Sequence, residues 1–146
     1  MSELCAVWEA SVRATHTFLP EEDIGFFAPF VYQALASIDI LYVVWDSHEN
    51  PCGFLGLAKK TDVLDTDGQQ IEMLFLHPSC FGRGIGRKLV LLALENHQAR
   101  YVDVNEQNPQ ALGFYLHLGF SVCGRSPLDQ SGKPYPILHL EKLPHR

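Results

Sequence analysis

No Cys-x-x-Cys spacing links Cys5, Cys52, Cys80 and Cys123, and four cysteines fall far short of a secreted disulfide scaffold. They read as reduced thiols, so the expected compartment is the cytoplasm. Nowhere do about 18 apolar residues run together, and Met1-Ser2-Glu3-Leu4-Cys5 carries no basic stretch ahead of an apolar one. Neither a membrane span nor an export signal is expected. Basic residues are scarce: 11 Lys and Arg against 17 Asp and Glu leave a net charge of −6. That balance argues against a broad phosphate-binding face for nucleic acid, whose affinity depends on clustered cations. None of the histidines shows the i, i+4 pairing of a zinc-binding helix, and no metal is expected. Repeats, low-complexity tracts and linkers are also missing.

What remains is 146 residues, 47% of them hydrophobic, read as one domain over 1–146 with a core of its own. Leu4, Val7, Trp8 and Val12 recur at helical spacing and predict a helix over 2–17. A second helix is expected over 21–35, opened by Glu21, Glu22 and Asp23 and kinked or split at Pro29. The period then changes. Residues 40–45 and 53–58 form a hairpin around turn chemistry at 46–51, a turn follows at 65–68, and a strand over 70–77 ends at Pro78. A buried helix is expected over 87–97, a strand over 101–105, and a helix from Asn108-Pro109 through Leu118. Strands at 120–124 and 137–143 close a mixed α/β fold.

Between the strand ending at Pro78 and the helix after it lies Ser79-Cys80-Phe81-Gly82-Arg83-Gly84-Ile85-Gly86. Unpaired amides at a helix N-terminus, with the helix dipole behind them, bind phosphates, and glycines clear the approach. Arg83, Arg87 and Lys88 add cations, and no acidic residue occurs between Glu72 and Glu95. In an acidic chain this local reversal points to a polyanionic ligand. A plain strand-to-helix turn would also accommodate the glycines. The Walker spacing and its hydroxyl residue are missing. A dinucleotide G-x-G-x-x-G would need a third glycine where Leu89 stands, although Asp103 lies at about the ribose-reading distance of 20 residues.

The run Leu76-His77-Pro78-Ser79-Cys80-Phe81-Gly82-Arg83-Gly84-Ile85-Gly86 resembles the cofactor stretch of the GNAT N-acetyltransferases, with Phe81 where Gln or Arg is usual. Downstream, Asn108-Pro109-Gln110-Ala111-Leu112-Gly113-Phe114-Tyr115-Leu116-His117-Leu118-Gly119-Phe120 is similar to the family's N-x-x-A-x-x-F-Y-x-x-x-G-F. Thr15-His16, Phe18-Leu19, Asn105-Glu106-Gln107-Asn108 and Gly132-Lys133-Pro134-Tyr135-Pro136 extend the resemblance to small bacterial members over nearly the whole chain. It implies a GNAT fold, a mostly antiparallel mixed sheet flanked by helices. It also implies a strand ahead of the first helix. Here that helix begins almost at Met1, so the strand is either absent, leaving a bare sheet edge, or lies upstream of this start.

Acetyl transfer from acetyl-CoA to an amine needs the CoA held, its carbonyl polarised, the amine deprotonated and the departing thiolate stabilised. The resemblance assigns the pyrophosphate to the amides of Gly82, Arg83, Gly84, Ile85 and Gly86, flanked by Phe81, with Arg83 and Arg87 as charge partners. It assigns thioester alignment to the backbone of Leu74, Phe75 and Leu76, beside which the family's sheet splays, and lets Asn108 reach the pantetheine arm besides capping its helix. Tyr115 is the implied acid meeting the thiolate; by spacing alone it is a core aromatic. A lysine-like amine is neutral in only on the order of one molecule in a thousand at pH 7, a cost of about 4 kcal/mol, so a base is required. Glu72 and His16 are the candidates. Asp129 and Tyr135, in the loop over 126–136, could meet a cationic acceptor. Direct transfer without a covalent enzyme intermediate is expected, by a monomer or a homodimer. Alternatives are a non-catalytic acyl-CoA-binding or sensing domain and a dinucleotide-dependent enzyme.

Overall fold

A computed structural model describes residues 2–59 and 68–143. Apart from Gly68, the turn expected at 65–68 lies outside them. Two helices come first, α1 (Ser2–Thr15) and α2 (Glu21–Ser37), followed by strands β1 (Ile40–Trp45), β2 (Pro51–Lys59) and β3 (Gln69–Leu76). After a 3-10 turn at Pro78–Cys80 come α3 (Ile85–His97), β4 (Tyr101–Asn105), α4 (Pro109–His117), β5 (Ser121–Ser126) and β6 (Ile137–Glu141). The strands form one sheet in the order β1-β2-β3-β4-β6-β5, in which only β3–β4 is parallel. Among the described residues no strand precedes α1, and β1 is an edge strand.

Each face of the sheet has its own core. The stripe Leu4, Val7, Trp8 and Val12 of α1 packs with Ile24 and Leu35 of α2 onto Phe54 and Met73. Val90 and Ala93 of α3 and Tyr115 of α4 meet Leu55, Leu57, Val102, Val104 and Leu140 on the opposite face. Alternation along β4 and β6 follows from this. With Val102, Val104 and Leu140 in the second core, Asp103 and His139 belong to the other face.

Of the kink or split expected at Pro29, the split does not occur: α2 is continuous across the proline. Both Pro29 and Gly25, whose carbonyl loses its partner to the proline ring, are exposed, so that carbonyl is open to solvent, while Ile24 and Leu35 are buried in the flanking turns. Element ends move slightly: α1 stops at Thr15 rather than 17, and β5 ends at Ser126 rather than 124.

Two irregularities of β3 set up the site. Gly56 pairs with Met73, yet the next pair is Leu57 with Ile71, which leaves Glu72 as an extra, bulged residue. Pairing with β4 is confined to Gln70–Tyr101 and Ile71–Val102. Beyond Val102 the two strands part, and the β3 edge from Glu72 to Leu76 faces an opening instead of a neighbour.

Candidate active site

The opening between β3 and β4 is a cleft of about 460 Å³. Leu74, Phe75 and Leu76 line it from the β3 edge, Phe81 and Gly86 from the glycine loop, and Asn108 and Tyr115 from α4. On the far side of the splay is a second cleft of about 770 Å³, roofed by α1, α2 and the loop after β5. Asp129 and Tyr135 line only this second space. Glu72 and His16 line both, so the two candidate bases stand where the clefts meet. The bulge interrupts the alternation of β3 at Glu72, whose neighbours Ile71 and Met73 pack into opposite cores.

The glycine loop is built from backbone. Gly82 and Gly84 have φ of 77° and 74°, the left-handed region glycine tolerates, and a Cβ at either would meet nothing within 4 Å. Gly84 caps α3 without any side-chain hydrogen bond, so the first amides of that helix have no intrahelical partner. Open space, free amides and the exposed Arg83 and Arg87 together fit a pyrophosphate. Gly84→Val is expected to weaken CoA binding at least tenfold by calorimetry. A branched side chain resists positive φ and would occupy the space a phosphate needs.

Asn108 is the N-cap of α4, accepting from the Ala111 amide at 3.2 Å, and its remaining amide donors are free to face the cleft it lines. Tyr115 is only 5% exposed and sits edge-on between Phe114 and Phe120, at centroid distances of 5.0 and 5.5 Å. Burial drives its phenol well above the ordinary value near 10, so it stays protonated across the working range. Cys52 is buried beside Cys80 and its thiol is pushed up to about 11, which denies it nucleophile character.

His16 is half-buried, and desolvation lowers its pKa, keeping the ring neutral near pH 7. Thr15 Oγ1 donates its one proton to the Ser11 carbonyl at 2.8 Å and therefore accepts from His16 Nδ1, also at 2.8 Å. Nε2 is left as the basic nitrogen. In the second cleft, Asp129 Oδ1 accepts from the amides of Ser131 and Lys133, each at 2.9 Å, and from the Ser131 hydroxyl. Much of its capacity goes into shaping its own loop. Tyr135 donates its hydroxyl to Asp23, which also pairs with Lys133 Nζ at 3.1 Å, so the loop is tied to the start of α2.

That tie has a pH signature. The Tyr135 hydrogen bond, opposed by burial and helped by Lys133, holds the Asp23 carboxyl below its ordinary value, and Tyr135 is pushed up to about 12. A lowered carboxyl stabilises the fold above its unfolded-state pKa and loses that contribution as pH falls through the folded value. Tyr135→Phe is therefore expected to lower the denaturation midpoint at pH 7, with the difference from wild type closing below about pH 4.

Sequence reasoning missed Gln70, Asn105, Ser126 and His139 in the second cleft, and noted Asp103 only for its spacing. A splayed strand edge beside a side-chain-free amide cradle, opening onto a second cleft across the sheet, defines an acyltransferase that takes its acyl group from a nucleotide-bearing carrier. The chain belongs to the acetyltransferase (GNAT) family, whose model matches residues 6–120. It is 41% identical over 94% of its length to the peptidyl-lysine N-acetyltransferase YjaB of Escherichia coli, covering 87% of that protein. The solution structure of apo-YjaB superposes with a TM-score of 0.79 at 38% identity, covering 99% of this chain and 91% of that one. A PaiA N-acetyltransferase from Thermoplasma acidophilum in complex with coenzyme A shares the fold, with a TM-score of 0.71 at 19% identity over 97% and 92% of the two chains. The chain is accordingly an N-acetyltransferase, with acetyl-CoA as donor and an amine as acceptor.

Proposed function

We infer that the acceptor is a lysine side chain presented by a peptide, that the 460 Å³ cleft holds the donor, and that the 770 Å³ cleft admits the lysine. One observation carries this reading. The larger cleft is lined by Glu72, Asp103 and Asp129 and, among the described residues, by no Lys or Arg, so it favours a cation that reaches the splay from across the sheet. The 41% identical YjaB of Escherichia coli, a peptidyl-lysine N-acetyltransferase, supports the same acceptor.

Acetyl-CoA brings an activated acyl carbon and a thiol leaving group. The protein's part divides among its own residues. Amides from Gly82 to Gly86, with Arg83 and Arg87, hold the pyrophosphate, and Phe81 and Asn108 border the arm that leads inward. The β3 edge at Leu74, Phe75 and Leu76 aligns the thioester as an added strand would lie. Glu72 takes the proton released as the new C–N bond forms, with His16 as the second basic group at the junction of the clefts. Tyr115 hydrogen-bonds the departing sulfur. Asp129 and Tyr135 shape the mouth through which the lysine enters. The acyl group passes directly to nitrogen, in a bacterial cytoplasmic protein of one domain that acts as a monomer or homodimer without metal, membrane or nucleic acid.

The test is calorimetric titration with acetyl-CoA and CoA, with NAD and ATP as competitors, followed by mass spectrometry of a lysine peptide incubated with enzyme and donor. Micromolar binding selective for acetyl-CoA and CoA, with a gain of 42 Da on lysine, is expected from the mass of an acetyl group. Binding without transfer to any amine would return the protein to an acyl-CoA-binding module.

A further inference from the structure

Three side chains on the floor of the larger cleft form a hydrogen-bonded line. Asp103 on β4 and His139 on β6 are paired across the sheet, and His139 Nδ1 lies 2.7 Å from Asp103 Oδ1. On the other side of the ring, His139 Nε2 lies 2.7 Å from Ser126 Oγ, at the end of β5. Gln70 Nε2 donates to the second oxygen of Asp103 at 3.4 Å. All four line the acceptor cleft. Gly124 on β5 is the register partner of His139.

Directions follow from donor counts. A carboxylate only accepts, so Nδ1 carries a proton toward Asp103; in the neutral form of the ring Nε2 is then the acceptor and the Ser126 hydroxyl donates to it. The lone pairs of Ser126 Oγ are then left to accept from whatever enters the cleft. An ammonium group is a ligand of that kind.

Proton accounting shows why such a line is useful. An alkylammonium becomes an amide by losing two protons: one to become nucleophilic, another when the C–N bond forms. One ends on the CoA sulfur and one in solvent. A single carboxylate at Glu72 cannot hold both. We propose that Ser126, His139 and Asp103 are a relay that removes the first proton from the acceptor ammonium. The ammonium N–H breaks as Ser126 Oγ takes the proton, the Ser126 hydroxyl proton passes to His139 Nε2, and the imidazolium formed is held by Asp103 until it releases its proton to water. The acyl carbon is not touched, and no co-reactant is needed. Ser126 meets the amine; His139 and Asp103 act through it as positioning and proton-holding residues. This rests on the lysine reading above.

Groups around the cleft that titrate besides His139 are Asp103 on β4, Glu72 on β3, His16 after α1, and Asp129 and Tyr135 in the loop. The test turns on the acceptor's own titration. Acetylation of a lysine peptide is followed from about pH 6.5 to 9.5 for wild type, His139→Gln and Ser126→Ala, with CoA affinity measured by calorimetry. The expected result is a fall of about 10²-fold in kcat/KM for the peptide near pH 7. That loss should shrink steadily toward pH 9.5, because more lysine then arrives already neutral. CoA affinity should be unchanged. A loss of constant size at every pH, or none, overturns the relay while the acetyltransferase reading stands. Should His139→Gln fail to bind CoA, Ser126→Ala alone decides by the same criterion. A wild-type enzyme that binds CoA yet acetylates no lysine peptide overturns the acceptor assignment, and the relay with it.

Discussion

Replacing Tyr115 with phenylalanine is expected to lower kcat by about 10²-fold or more while leaving CoA affinity within about twofold. The ring is held between Phe114 and Phe120 in a site 5% exposed, and phenylalanine keeps that packing, so the change removes one hydroxyl and nothing else. Desolvation makes this phenol a weaker acid than a free tyrosine. A CoA-type thiol ionises near 8.5, so complete transfer from Tyr115 to the thiolate runs uphill, and the hydroxyl contributes chiefly as a hydrogen-bond donor to developing negative charge. Two consequences can be checked. The effect should fall near the lower end of the range for acid catalysis. The wild-type profile should also show no loss of activity assignable to Tyr115 ionising below about pH 10. Unchanged kcat in Tyr115→Phe would return the residue to the core-aromatic role its spacing alone suggests.

Glu72→Gln is expected to reduce kcat/KM for the amine by about 10²- to 10⁴-fold with the thermal midpoint nearly unchanged. The bulge at this position belongs to the register of β2 and β3, and glutamine, of the same size, can occupy it without the ability to take a proton. This loss should persist at alkaline pH, since the second nitrogen proton must leave even when the lysine arrives neutral. In that respect it differs from the loss expected for His139→Gln. Measured together across pH, the two variants separate the first deprotonation from the second. A Glu72→Gln enzyme as active as wild type would shift the role to His16, whose unprotonated Nε2 sits at the same junction.

The glycine loop and the α4 cap, on which the proposed donor site rests, were readable from residue types, because they depend on backbone conformations that few residues adopt. Gly82 and Gly84 stand at positive φ, Asn108 caps α4 and Pro109 opens it, and each leaves a mark in the amino-acid order. The acceptor half was not. Asp103, Ser126 and His139 are far apart along the chain and meet through strand register, which composition does not encode. Alternation around Val102, Val104 and Leu140 did carry a signal that Asp103 and His139 share the face opposite that core. It could not say that they touch. The bulge was equally hidden, since an extra residue in a strand of alternating apolar character looks like any other. Pro29 shows the converse: a strong local breaker, overruled because its face of α2 is wet.

The splay between β3 and β4 also separates two kinds of inheritance. On one side of it the proposed donor contacts are largely main-chain groups whose geometry depends on Gly82 and Gly84 at positive φ. On the other, part of the wall is side chains of α2 and the loop after β5, which line only the larger cleft. Side chains confined to the larger cleft, such as Leu19, Phe30 and Leu128, can therefore change without touching the glycine loop on the other side of the splay.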